Sequence, residues 1–232
     1  MIYNNQTTHF QDINKMNKKN IFLIASTSVI VIILVMLFSS LNNDSQLIEE
    51  NFQNIQNIPS SSFGVERELE GDHTISVGNP KNTIIEYASM TCPHCSDFHG
   101  TVFPKIKKEL IDTGKVKYTF RDFPLDPFAM AGTLIANCVS EDKYFDVINV
   151  LLKTQQKWIE RGYEGLISVA KNFGLSLDET EQCLKNRELI NLIEANMSLA
   201  SNSFGITGTP SVFVNGKKIQ PLEYENILNE IK

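Results

Sequence analysis

The residues with the most evident chemistry are Cys92 and Cys95, in the run Met90–Thr91–Cys92–Pro93–His94–Cys95. Two thiols at Cys-x-x-Cys spacing, placed where an apolar strand ends and a helix begins, form a redox signature. Three residues apart on a helix, they share one face and come within disulfide reach. Cys92 falls at the helix start, where unpaired backbone N–H groups and the helix dipole favour a thiolate. Pro93 sits in the first turn, where its missing N–H costs little. His94 can add a donor or a positive charge near the sulfur. If these effects moved the thiol pKa from about 8.5 to about 6.5, the thiolate fraction at pH 7 would rise from roughly 3% to roughly three quarters. A low thiol pKa favours the dithiol and makes the disulfide oxidising. The alternatives are a plain structural disulfide and a zinc site. Cys92, Cys95 and His99 could supply three zinc ligands, but no second Cys-x-x-Cys or His pair provides an orthodox fourth.

The elements that must position these thiols follow from pattern. Thr74–Val77 and Thr83–Ala88 read as strands around Gly78–Asn79–Pro80. A helix is expected from Cys92 to about Thr113, stopped by Gly114, with Val116–Arg121 as the next strand. Helical period then runs through Ala129–Ser140, Lys143–Trp158, Tyr163–Phe173, Leu177–Asn186 and Glu188–Phe204. Ser211–Val214 and Lys217–Ile219 flank Asn215–Gly216, a hairpin signal. Leu222–Ile231 makes a final helix after Pro221. Residues 122–210 far exceed one crossover helix. The economical reading is an α/β thioredoxin fold carrying an inserted helical domain. Trp158 and the phenylalanines are most simply core.

The motifs then carry a family resemblance. Cys92–Pro93–His94–Cys95 matches the active-site sequence of the DsbA family of thiol–disulfide oxidoreductases. Thr113–Gly114–Lys115–Val116, continuing through Arg121–Asp122–Phe123–Pro124–Leu125–Asp126, resembles the extracytoplasmic, often membrane-anchored branch of that family. So does Gly208–Thr209–Pro210–Ser211 leading to Phe213–Val214–Asn215–Gly216. The resemblance covers roughly 70–232. It implies that Pro210 is a cis-proline facing the active-site sulfurs, with Thr209 offering its N–H and C=O to a substrate strand; an ordinary trans turn proline is the alternative. It implies that Glu86, six residues before Cys92 in an apolar strand, is a buried acid near the second cysteine that carries its proton. An edge-exposed glutamate is the alternative there. It implies no cofactor. The partners implied are reduced, unfolded exported proteins and a quinone-linked membrane reoxidant of the DsbB type. Related oxidases and isomerases both place Thr at position 209, so Thr209 leaves open a disulfide donor or an isomerase or reductase kept reduced. A redox-inert binding module is a third class, which the intact Cys-x-x-Cys disfavours.

The N-terminal part bears on compartment. Lys15, Lys18 and Lys19 precede an uncharged apolar run, Ile21–Phe38. As a helix this run spans about 27 Å, close to the ~30 Å hydrocarbon core. Positive charge before it orients the N-terminus toward the cytoplasm. The expected organisation is a cytoplasmic segment 1–20, a transmembrane signal-anchor 21–38, a flexible Asn-, Gln- and Ser-rich linker 39–65, and the catalytic domain 66–232 with its insertion at about 125–204. A cleaved signal peptide is the alternative, which would leave the domain free outside the inner membrane. Export and an even cysteine count favour a second, structural disulfide between Cys138 and Cys183, with two buried free thiols as the alternative. The composition is 42% apolar and 21% charged, with a net charge of −6 over 232 residues. This suits a globular core, and the lack of any basic run disfavours a nucleic-acid role.

Overall fold

The computed structural model describes residues 64–232. The segment 1–20, the apolar run 21–38 and all but the last two residues of the 39–65 linker lie outside them. Among the described residues no helix is long and apolar enough to cross a membrane.

The chain enters through β1 (His73–Ile75) and β2 (Asn82–Ala88). β2 reads Asn-Thr-Ile-Ile-Glu-Tyr-Ala and is buried on both faces, as a central strand must be. A helical crossover of α1 (Pro93–Thr101) and α2 (Phe103–Ile106), ending in the wider turn Lys107–Ile111, leads to β3 (Val116–Asp122). β3 pairs parallel with β2, placing Glu86 beside Phe120 and Ala88 beside Asp122. Parallel neighbours require such a crossover.

Six helices follow: α3 (Pro127–Cys138), α4 (Tyr144–Lys153), α5 (Gln155–Glu160), α6 (Tyr163–Asn172), α7 (Leu177–Leu184) and α8 (Arg187–Phe204). β4 (Ser211–Val214) then pairs antiparallel with β2, β5 (Lys217–Lys218) with β4, and α9 (Tyr224–Leu228) closes the chain. The sheet order is β1-β3-β2-β4-β5. This is a thioredoxin-like α/β fold with a helical insertion between β3 and β4.

Local chemistry explains the insertion's punctuation. The Asp126 side chain accepts from the N–H groups of Phe128 and Ala129 to start α3. Ser176 and Glu179 form a reciprocal capping box at α7. Asn186 caps α8, and Gly205 ends it in the left-handed conformation, φ 66°. α5 and α6 approach so closely at Gly165 that a Cβ there would lie 2.2 Å from the Trp158 carbonyl oxygen. Trp158 is itself buried and donates its indole N–H to Leu151 O at 2.7 Å. The sulfurs of Cys138 and Cys183 are bonded, joining α3 to α7 with a Cα separation of 6.1 Å.

Several expectations need correction. The single helix from Cys92 to Thr113 is broken at Val102, because Pro104 cannot supply an N–H to the turn before it. The helical run Lys143–Trp158 divides at Thr154, whose hydroxyl donates back to Val150 O at 2.7 Å. Pro221 does not open the last helix: the Gln220–Pro221 bond is cis and α9 begins at Tyr224. The folded domain also starts before residue 66. Val65 is buried, and the Arg121 guanidinium donates to Val65 O, Arg67 O, the Tyr87 hydroxyl and both Asp72 carboxylate oxygens. This side chain ties the entering segment to the centre of the sheet.

Candidate active site

Cys92 is the N-cap of α1, with extended dihedrals of φ −76° and ψ 117°. Its carbonyl accepts from the N–H groups of Cys95 and Ser96, each at 3.1 Å. No side chain caps this helix start, and the backbone N–H groups of His94 and Cys95 act on the Cys92 sulfur. Pro93 occupies the first turn and Cys95 the next position on the inner face. Cys92 retains 6% exposure and Cys95 none, and both are free thiols.

The loop before β4 approaches from the other side. The Thr209–Pro210 bond is cis, and the Cys92 thiol donates to Thr209 O at 3.2 Å. The Thr209 hydroxyl is buried without a protein partner. Between α1 and the cis-proline loop lies an open groove of about 410 Å³, lined by His94, Asp97, Phe98, Pro210 and Leu222 among others.

The two thiols are driven in opposite directions. The Cys92 pKa falls from 9.0 to about 5. The largest cause is the Cys95 thiol donating to it. Burial opposes the shift, and Thr209 with the backbone N–H groups of Cys95 and His94 adds to it. The shift exceeds the ~6.5 supposed from position alone, because sequence does not show that the second thiol serves as a donor to the first. His94 acts here through its backbone N–H, while its side chain lines the groove. Cys95 is pushed far up: burial is the main cause, followed by its bond to Cys92 and by the negative charge of Glu86.

Glu86 is fully buried in β2. Its Oε2 accepts from the Tyr118 hydroxyl of β3 and from His99 Nε2 of α1, the latter at 3.1 Å; Oε1 has no protein partner. Burial, then the Glu86 charge, holds the Tyr118 hydroxyl well above its ordinary pKa. His99 therefore faces Glu86, and among the described residues no three His, Cys, Asp or Glu side chains gather as a metal site. Cys138 and Cys183 lie in the insertion, away from this group.

Sequence reading missed two residues here, Gln155 and Tyr118, and weighed a third, His99, only as a zinc ligand. Gln155, at the start of α5, donates its amide N–H to both Met90 O and Cys92 O at 2.9 Å, holding the motif loop from the insertion. His99 and Tyr118 meet Glu86. The one available signal was a histidine one turn past Cys95 on the same face.

Comparison with known proteins supports the fold. The family model described as Thioredoxin matches residues 70–232. A provisionally named protein-disulfide oxidoreductase of Rickettsia prowazekii is 33% identical over 161 residues, covering 67% of this chain and 59% of that protein. Disulfide bond formation protein D of Bacillus subtilis is 27% identical over 177 residues, covering 71% of this chain and 77% of that one. The crystal structure of Wolbachia pipientis alpha-DsbA1 superimposes with a TM-score of 0.64 at 32% identity, covering 71% of this chain and 90% of that chain. The chain spans 59% and 58% of the length of the Rickettsia prowazekii and Rickettsia typhi relatives. With a thioredoxin-like sheet, a helix-capping Cys-x-x-Cys and a cis-proline loop against its first sulfur, the chain belongs to the DsbA family of thiol–disulfide oxidoreductases.

Proposed function

We propose that this protein donates disulfides to reduced exported proteins through Cys92 and Cys95. One observation carries the reading: Cys92 caps the start of α1 with its sulfur against the cis-proline loop and the Cys95 thiol, an arrangement that lowers its pKa to about 5 and keeps Cys95 protonated. At pH 7 such a group is ~99% thiolate. Stabilising that thiolate stabilises the reduced enzyme and makes its disulfide a strong oxidant.

In the forward reaction a substrate thiolate attacks Cys92 Sγ and the Cys92–Cys95 bond breaks. Cys95 leaves and takes up a proton, with Glu86 as its carrier. A second substrate thiolate then attacks the substrate sulfur of the mixed disulfide, and Cys92 departs as a thiolate. The Thr209 hydroxyl, which lowers the Cys92 pKa, donates to that thiolate. The cis Thr209–Pro210 segment offers backbone groups to an extended substrate strand. The cycle closes when a quinone-linked membrane partner of the DsbB type removes two electrons from the dithiol. The apolar run Ile21–Phe38 is the anchor that holds the domain on the extracytoplasmic side of the inner membrane.

Two quantities test the direction. The thiolate's ultraviolet absorbance against pH should give a Cys92 pKa near 5. Equilibration with glutathione should give an oxidising potential. A pKa near 8.5 with a reducing potential would instead indicate a reductase or isomerase.

A further inference from the structure

We infer that His99 is the proton-holding partner of Glu86 and acts through it on Cys95, which makes it a positioning residue for every step in which the Cys95 sulfur gains or loses a proton. The inference deepens the thiol–disulfide exchange reading and rests on it.

The argument begins with charge. Cys95 and Glu86 are both fully buried, and the Glu86 charge disfavours a thiolate at Cys95. Two anions side by side in an apolar core cost several kcal/mol unless a proton or cation compensates them. Among the described residues, His99 is the one side chain able to carry a positive charge that pairs with Glu86, at 3.1 Å. It is buried at 1% exposure, and its ring stacks on Phe103 with centroids 4.5 Å apart. An aromatic face of this kind tolerates an imidazolium.

The hydrogen bonding has the same direction. Both donors, Tyr118 and His99, converge on Oε2, so Oε1 is left with no partner. Oε1 is therefore free to take a proton. His99 Nδ1 is likewise buried without a partner. Cys95 and His99 lie four residues apart on α1 and so share its inner face. The titratable groups facing this unit are Cys95 and His99 of α1, Cys92 at the start of that helix, Tyr118 of β3 and, beyond it, Tyr144 of α4. The register sets Phe120 of β3 and Val212 of β4 beside Glu86, and α2 contributes Phe103, so those sides are apolar.

The proton balance is simple. With oxidised glutathione as oxidant, the Cys92 thiolate attacks one sulfur and releases one glutathione thiolate. The Cys95 thiol passes its proton to the Glu86–His99 pair. The Cys95 thiolate then attacks Cys92 Sγ, forming the protein disulfide and releasing the second glutathione thiolate. In disulfide donation the same pair returns a proton to the departing Cys95 sulfur.

The test follows both steps in the reduced full chain mixed with oxidised glutathione, quenched and weighed by mass spectrometry across pH. Adduct formation at Cys92 serves as the internal reference. His99→Gln keeps an N–H donor for Glu86 but holds no titratable proton. Its adduct should resolve about a hundredfold more slowly, the lower end of what loss of an acid–base group costs. Its resolution rate should also lose the pH inflection of the wild-type chain. Resolution with wild-type rate and pH profile would overturn the inference. A wild-type chain that forms no Cys92 adduct would instead overturn the exchange reading itself. If His99→Gln does not fold, nuclear magnetic resonance of the His99 ring in the wild-type chain decides the matter. Its titration should differ between the oxidised and reduced forms, and identical titrations would refute the proton-holding role.

Discussion

Acidification should weaken the reduced protein more than the oxidised one. The Cys92 thiol has a folded pKa of about 5 against 9.0 for an unperturbed thiol. A group depressed on folding contributes stability that is complete above the unfolded value and is lost as pH falls through the folded one. The window is therefore pH 9 down to pH 5. At pH 7 about 2.7 kcal/mol would remain if the sulfur were fully shielded. Cys92 keeps some exposure to solvent, and solvent screening reduces the figure to about 1–2 kcal/mol. The disulfide form has no thiol to titrate, so carboxylates and histidines that behave alike in both forms cancel in the comparison. Urea unfolding of the two forms at pH 7 and pH 4 should show the reduced form losing an extra ~0.5–1 M in midpoint. A reduced-minus-oxidised difference that stays flat, or grows as pH falls, would refute the reasoning.

Three further outcomes are expected. Gln155→Leu removes the donor to Met90 O and Cys92 O and should cost about 1–3 kcal/mol in denaturant unfolding, with slower disulfide transfer; unchanged stability would mean that the motif loop holds itself. Replacing Cys138 and Cys183 by Ala opens a link across 45 positions and should cost up to ~4 kcal/mol, while transfer at a permissive temperature stays within about twofold, and quantitative alkylation of Cys138 in the oxidised wild-type chain would show the link is absent. The full chain should fractionate with membranes; a shortened soluble form starting near Leu41 would identify Ile21–Phe38 as a cleaved signal.

What sequence reveals here is local. β2 is a mostly apolar strand, interrupted at Glu86, that ends just before the motif, and Cys92 opens a helix, so strand, turn and nucleophile were legible within a few residues. The Asn215–Gly216 turn was legible because both residues adopt positive φ, 49° and 79°, which only a few residue types accept. The excess length between β3 and β4 showed the insertion. Partnerships across the fold were not legible. Gln155 reaches the motif from 63 positions away and Tyr118 reaches Glu86 from 32, and no periodicity records such meetings. The breaks at Val102 and Thr154 were hidden for a different reason. An apolar stripe continues through each of them, so period alone reads one helix where Pro104 or a back-bonding threonine makes two.

The central claim is that Cys92 is the attacked and attacking sulfur and that Cys95 releases it. The most direct measurement mixes the oxidised wild-type chain with a reduced, unfolded model protein and follows disulfides gained by the substrate, alongside Cys92→Ser and Cys95→Ser variants. The account predicts stoichiometric transfer by the wild type and none by Cys92→Ser. Cys95→Ser, offered the disulfide form of the substrate, should accumulate a mixed disulfide through Cys92. Transfer by Cys92→Ser at the wild-type rate, or trapping through Cys95 in place of Cys92, would contradict it.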